Sequence, residues 1–138
     1  MARRAIIVHS LEQARAALAA AAELGVPVTL VSAPAAAGYL GALAFREMIA
    51  EARRGYGSVD LEAILDCGPD PGYVLSALRQ GLAAVRFTGP PKTAAVLAEI
   101  AAAHGARLLT GPLPACDLAA ERDPPAACRR WLAAADRP

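Results

Sequence analysis

Short apolar runs alternate with longer mixed stretches along the whole chain. Ala5-Ile6-Ile7-Val8 opens the series as a β-prone run. Ser10 follows with Gln13 three residues on, a capping-box pattern, and the helix that carries Leu11, Leu18 and Leu24 stops at Gly25. Val26 to Val31 reads as a second strand, rich in β-branched residues and closed by Ser32-Ala33-Pro34. A less regular segment with Gly38 and Gly41 settles into a helix through Phe45, Met48 and Ile49, which leaves at Arg53-Arg54-Gly55. Leu61 to Leu65 is the third strand. Asp70-Pro71 then places an N-cap before a proline at the first helical position, and this helix ends at Gly81. Leu82 to Phe87 is the fourth strand. Pro90-Pro91 opens a fourth helix with Val96, Leu97 and Ile100, ending at His104-Gly105, and Arg107 to Leu109 is a short fifth strand. The rest is proline-rich until Asp123-Pro124 caps a last helix holding Trp131 and Leu132.

The order is therefore βα repeated about five times. The strands are continuously apolar rather than alternating, which implies cover on both faces and a parallel sheet with right-handed crossovers. The expected fold is α/β: a single domain over residues 1–138 with a flavodoxin-like three-layer sandwich. Residues 1–111 form the βα core, and 112–138 a Pro-rich segment plus a C-terminal helix: a loosely attached arm, a packing arm, or a lid over the rim with Cys116-Asp117 reaching the site. The alternative is half of a (βα)₈ TIM-barrel-like fold, whose open strand edges want a partner.

Composition narrows the uses of such a fold. The 138 residues are 56% hydrophobic, much of it alanine, and the net charge is only +1. That balance, with 4% aromatics and no basic strip interleaved with them, argues against nucleic-acid binding. No apolar stretch approaches the roughly 18 residues of a membrane span. The opening MARRAIIVHS has the charge order of a signal peptide, but its apolar part is short and runs into a charged helix, so it reads as the first strand of a cytoplasmic protein. Cys67, Cys116 and Cys128 are odd in number and lack CxxC spacing, which disfavours a disulfide framework or a zinc ribbon.

In either architecture ligands sit at the carboxyl ends of the strands. Those ends carry His9-Ser10, Ser32, Asp66-Cys67-Gly68, Thr88-Gly89 and Thr110-Gly111. Helix N-termini open on the same edge and favour an anionic guest. Asp66, directly after Ala63-Ile64-Leu65, is a partly desolvated carboxylate that needs a partner, and is the candidate general base or else a turn cap. Cys67 and His9 are candidate nucleophiles, acids or metal ligands, or else a buried thiol and a backbone-bonded imidazole. Ser10, Ser32, Gly68, Thr88, Gly89, Thr110 and Gly111 are candidate ligand-binding positions. Ser10 is equally an N-cap of the first helix, Thr88 a cap of the fourth, and the glycines turn residues.

Asp66 and Thr88 hold the places of the Asp and the Ser/Thr that end the third and fourth strands of response-regulator receiver domains. That family also needs an acidic pair after the first strand and a lysine after the fifth, where this chain has His9-Ser10 and Thr110-Gly111. Phosphotransfer signalling is thereby excluded. The run LDCG…GLAAVRFTG, within residues 61–90, resembles class II fructose-bisphosphate aldolases and related (βα) barrel enzymes. There a strand ends in an Asp-His pair, followed by a helix and a glycine-led strand. The resemblance implies a catalytic role for Asp66 and a zinc-ligand role for Cys67, with thiolate in place of imidazole. The downstream histidine ligands are missing, and no metal set emerges from the sequence. Three uses follow: a domain that binds a small anionic metabolite, phosphate or carboxylate; a lyase-like or other enzyme with Asp66 as general base, metal-assisted or not; and a self-associating homo-oligomer.

Overall fold

The computed structural model describes residues 3–134; residues 1, 2 and 135–138, at the two ends of the expected domain, lie outside the described residues. Among the described residues six strands and five α-helices alternate over most of the length: β1 (Arg4–Ile7), α1 (Leu11–Leu24), β2 (Val28–Val31), α2 (Ala42–Arg53), β3 (Leu61–Asp66), α3 (Pro71–Arg79), β4 (Ala84–Arg86), α4 (Pro91–Ala103), β5 (Arg107–Leu109), β6 (Ala115–Asp117) and α5 (Pro124–Ala133). Contacts divide the chain into two compact units, one of Met1–Val31, Met48–Glu62 and Leu113–Pro138, the other of Ser32–Glu47 and Ala63–Pro112.

In the first unit β1 is flanked by β2 and β6, both parallel to it, with Ile6 opposite Leu30 on one side and Cys116 on the other. All four residues of β2 are buried. Ser10 starts α1 by accepting the Gln13 N–H at 3.1 Å, and Gln13 returns its side-chain oxygen to the His9 N–H at 2.8 Å. Gly25, at φ 66°, ends the helix in the left-handed conformation that glycine adopts without strain. Buried Ala14, Ala17 and Ala21 make α1 thin enough for α5 to pack closely against it. The core gathers Ile6, Val8, Leu18, Val28, Leu30, Leu118, Cys128 and Leu132.

The tail is thus no loose arm. β6 pairs with β1, Leu118 and Leu132 are buried, and the Trp131 indole donates to the Ala5 carbonyl at 2.8 Å. The Arg4 guanidinium lies 4.0 Å from the centre of the Trp131 ring. β6 escapes a reading by pattern because it is three residues long and has no β-branched side chain.

In the second unit β4 lies between the end of β3 and β5, again parallel, with Leu65 opposite Val85 and Asp66 opposite Arg86. α4 packs on β5 and on α3. Asp70 caps α3 through the N–H groups of Gly72 and Tyr73, as its position before Pro71 predicts. The α/β class and the parallel strands are as expected. The order in which β3, β4 and β5 follow one another, and β6 beside β1, fit the half-barrel alternative.

Candidate functional site

β3 runs through buried Ile64 and Leu65 and then delivers a carboxylate. Asp66 is 4% exposed, so its charge must find partners inside the protein. Register supplies one: Arg86 faces it across the β3–β4 pair and donates Nη1 to Oδ2 at 3.1 Å. The turns supply two more. The Ala35 and Gly68 N–H groups both donate to Oδ1, at 3.0 and 2.8 Å. Both residues are left-handed, Ala35 at φ 56° and Gly68 at φ 59°. Their convergent amides make a small anion pocket that the Asp66 carboxylate itself fills. Its backbone N–H donates to Ser32 Oγ at 2.9 Å, and that hydroxyl donates on to the Ala33 carbonyl at 3.1 Å. Arg86 also donates Nη2 to the Gly111 carbonyl at 3.1 Å. The Thr88 N–H donates to the Gly68 carbonyl at 2.9 Å.

The second unit therefore brings Ser32, Asp66, Gly68, Thr88 and Gly111 into one network, with Arg86 at its centre. Gly89 and Thr110 border a neighbouring groove of about 450 Å³ between α4 and β5. Thr88 does not cap α4; the cap position is Pro90, which offers no side-chain acceptor. Arg86 was the residue to notice in the sequence. A guanidinium inside Ala84-Val85-Arg86-Phe87 is stranded among apolar neighbours unless an acid meets it.

Cys67 follows Asp66 directly. Its side chain is buried, and its Sγ lies 3.8 Å from the Leu65 carbonyl. Burial, then the Asp66 and Asp70 charges, push the thiol up to about 12. A raised thiol pKa lowers the thiolate fraction available for attack or for metal binding.

His9 and Ser10 belong to the first unit. Ser10 is spent on the α1 cap. His9 Nε2 lies 2.7 Å from Asp117 Oδ1, joining the ends of β1 and β6. Burial raises the Asp117 carboxyl, but the Ala119 N–H and the His9 ring outweigh it, and the net shift is downward. Asp117 comes from the proline-rich tail, where pattern gave no strand to place it.

The zinc that an aldolase-like site implies does not fit these donors. Cys67 is a buried core thiol, three N–H groups already donate to Asp66, and among the described residues no three His, Cys, Asp or Glu side chains gather to hold a metal. Among the described residues no helix is long and apolar enough to cross a membrane.

The sequence profile described as Fructose-bisphosphate aldolase class-II matches residues 1–94. Among solved structures, a crystal structure of a candidate fructose-1,6-biphosphate aldolase from Coccidioides immitis superposes with a TM-score of 0.64 at 24% identity. The match covers 78% of this chain and 44% of that one, so this chain spans less than half of that structure's length. At that identity the likeness is one of fold. No curated protein matches the sequence.

Proposed function

The chain belongs to the class-II fructose-bisphosphate aldolase family, and from that footing we propose that it binds a small anionic metabolite, a phosphate ester or carboxylate, at the carboxyl ends of its strands. The observation that carries this reading is the start of α4. Ser10 and Asp70 cap α1 and α3 with side-chain oxygens. α4 begins after Pro90 with no side-chain cap and no acid in its first turn, and it carries the exposed Lys92 there. Thr88, Gly89 and Thr110 adjoin it. A helix start with free N–H groups and a nearby ammonium favours an oxyanion. The burial of Asp66 and the three N–H donors already on its carboxylate speak for binding over proton abstraction, because a base needs an accessible lone pair aimed at its substrate.

A thermal-shift titration with inorganic phosphate, glycerol phosphate and short carboxylic acids tests this. A ligand at 100 times its dissociation constant adds about 2.7 kcal/mol of stability. The expected result is stabilisation by at least one of these anions, diminished in Lys92→Ala. No stabilisation by any of them sinks the reading.

One contact favours a second reading. A histidine held at 2.7 Å by a carboxylate is oriented as a general base is, and an enzyme built on His9 and Asp117 would lose its activity in His9→Ala. Three free cysteines suit a reducing compartment such as the cytoplasm. The exposed Tyr39, Leu40 and Leu43 offer an apolar surface for self-association, which sedimentation at micromolar concentration checks.

A further inference from the structure

Among the described residues, one buried polar side-chain atom of the Asp66 network lacks a partner. The Nε of Arg86 is buried and, among the described residues, meets no acceptor. Buried donors without acceptors are rare in native proteins, and each asks for a reason. Here the reason lies in the shape of the guanidinium. It is planar, and its donors point along two usable edges. Nη1 serves Asp66. Nε and Nη2 share the other edge, the one that takes two oxygens of a carboxylate or phosphate side by side. At present that edge is half used: Nη2 donates to the Gly111 carbonyl, and Nε donates to nothing.

The group occupying the Nη2 half is easily moved. Gly111 is exposed, sits in the turn after β5, and has nothing within 4 Å of the point where a side chain would begin. Asp66 does not depend on Arg86 alone, since the Ala35 and Gly68 amides hold its other oxygen. The guanidinium can therefore serve a second anion without abandoning the first.

We infer that Arg86 is the residue that grips the anion, its Nε–Nη2 edge taking two oxygens of a carboxylate or phosphate when the Gly111 carbonyl withdraws. This rests on the anion-binding reading and names its receptor. The site lies at the shared end of β4 and β5, beside Thr88 and Thr110. The ligand class is an oxyanion able to present two oxygens in one plane. A lysine in the same place would supply the charge but not the fork.

The test uses the full chain labelled with ¹⁵N. The Arg86 Nε–H resonance is identified as the one missing from Arg86→Lys. Inorganic phosphate and acetate are titrated separately. The expected result is that this resonance moves on saturation with one or both, at the concentration that raises thermal stability, and that Arg86→Lys binds at least tenfold more weakly. A response to phosphate alone assigns a phosphoryl ligand, and a response to acetate alone a carboxylate. If an anion binds but the resonance stays still, with shifts confined to the amides that open α4, the inference is overturned and the anion-binding reading stands. Binding by Arg86→Lys within twofold of wild type overturns it as well. If neither anion moves any resonance, both fall. The shift itself is read in the wild-type chain, so that criterion holds even if Arg86→Lys is less stable.

Discussion

Replacing Asp66 with alanine strips three donors of their acceptor at once. The Ala35 and Gly68 amides lose Oδ1, and the Arg86 guanidinium loses Oδ2. Breaking a buried ion pair from one side costs about 3–5 kcal/mol, because the remaining charge stays desolvated. Arg86 is 22% exposed, so water relieves part of that charge. Each stranded amide adds about 1 kcal/mol or somewhat more. Together these place the loss at about 3–4 kcal/mol, a large share of the 5–15 kcal/mol that typically holds a domain together. Urea unfolding reads it as a lower midpoint with an unchanged slope. Asp66→Asn keeps an acceptor for the amides but turns an NH₂ or a neutral oxygen towards Arg86, and falls between the two at about 2 kcal/mol. A loss in Asp66→Ala no larger than about 1 kcal/mol, the cost of an ordinary cap, would refute the reasoning. The carboxylate would then be a dispensable turn residue sharing its donors with water.

Gly68→Ala forces a left-handed side chain at φ 59° and sets a methyl 3.0 Å from the Ala35 Cβ, so it should cost about 1–2 kcal/mol in the same assay. An unchanged midpoint would show that the two facing turns are slack. Trp131→Ala removes the indole bond to Ala5 and the Arg4 stack, and should cost about 3 kcal/mol; a silent substitution would return the tail to the status of an appendage. Cys67 and Cys128, both pushed up to about 12 by burial above all, should react with iodoacetamide only as the protein unfolds. Their folded pKa lies above the ordinary thiol value of 9.0, so the folded state keeps protons that the unfolded state releases. Stability should be complete below pH 9 and decline as pH rises towards 12, a decline that Cys67→Ala/Cys128→Ala lacks. The Asp117 carboxyl should titrate below 3.8 by carbon-detected NMR and move upward in His9→Ala; no movement would mean the ring does not hold it.

The elements were legible because each one satisfies local and global demands together. Leu61 to Leu65 reads as a strand from its apolar run, and it is β3, one residue longer, with its second half buried. Ser10 with Gln13 and Asp70 with Pro71 announce helix starts by chemistry that acts within four residues, and both caps form as expected. β6 was invisible because Ala115-Cys116-Asp117 carries no strand signal of its own. It is a strand because β1 lies beside it, and that is a long-range fact.

The site divides along the same line. That Asp66 needed a partner follows from its place after an apolar run. Which partner it took depends on register, and register is set by the pairing of two strands twenty residues apart. The sequence resemblance around Asp66 describes an acid ready to act, with a metal ligand beside it. The structure puts the same acid under three donors and the thiol into the core. Asp66 thus anchors two turns. The buried donor left without an acceptor among the described residues is the Nε of Arg86, the residue that faces it, and anion binding is proposed to rest there rather than on the acid.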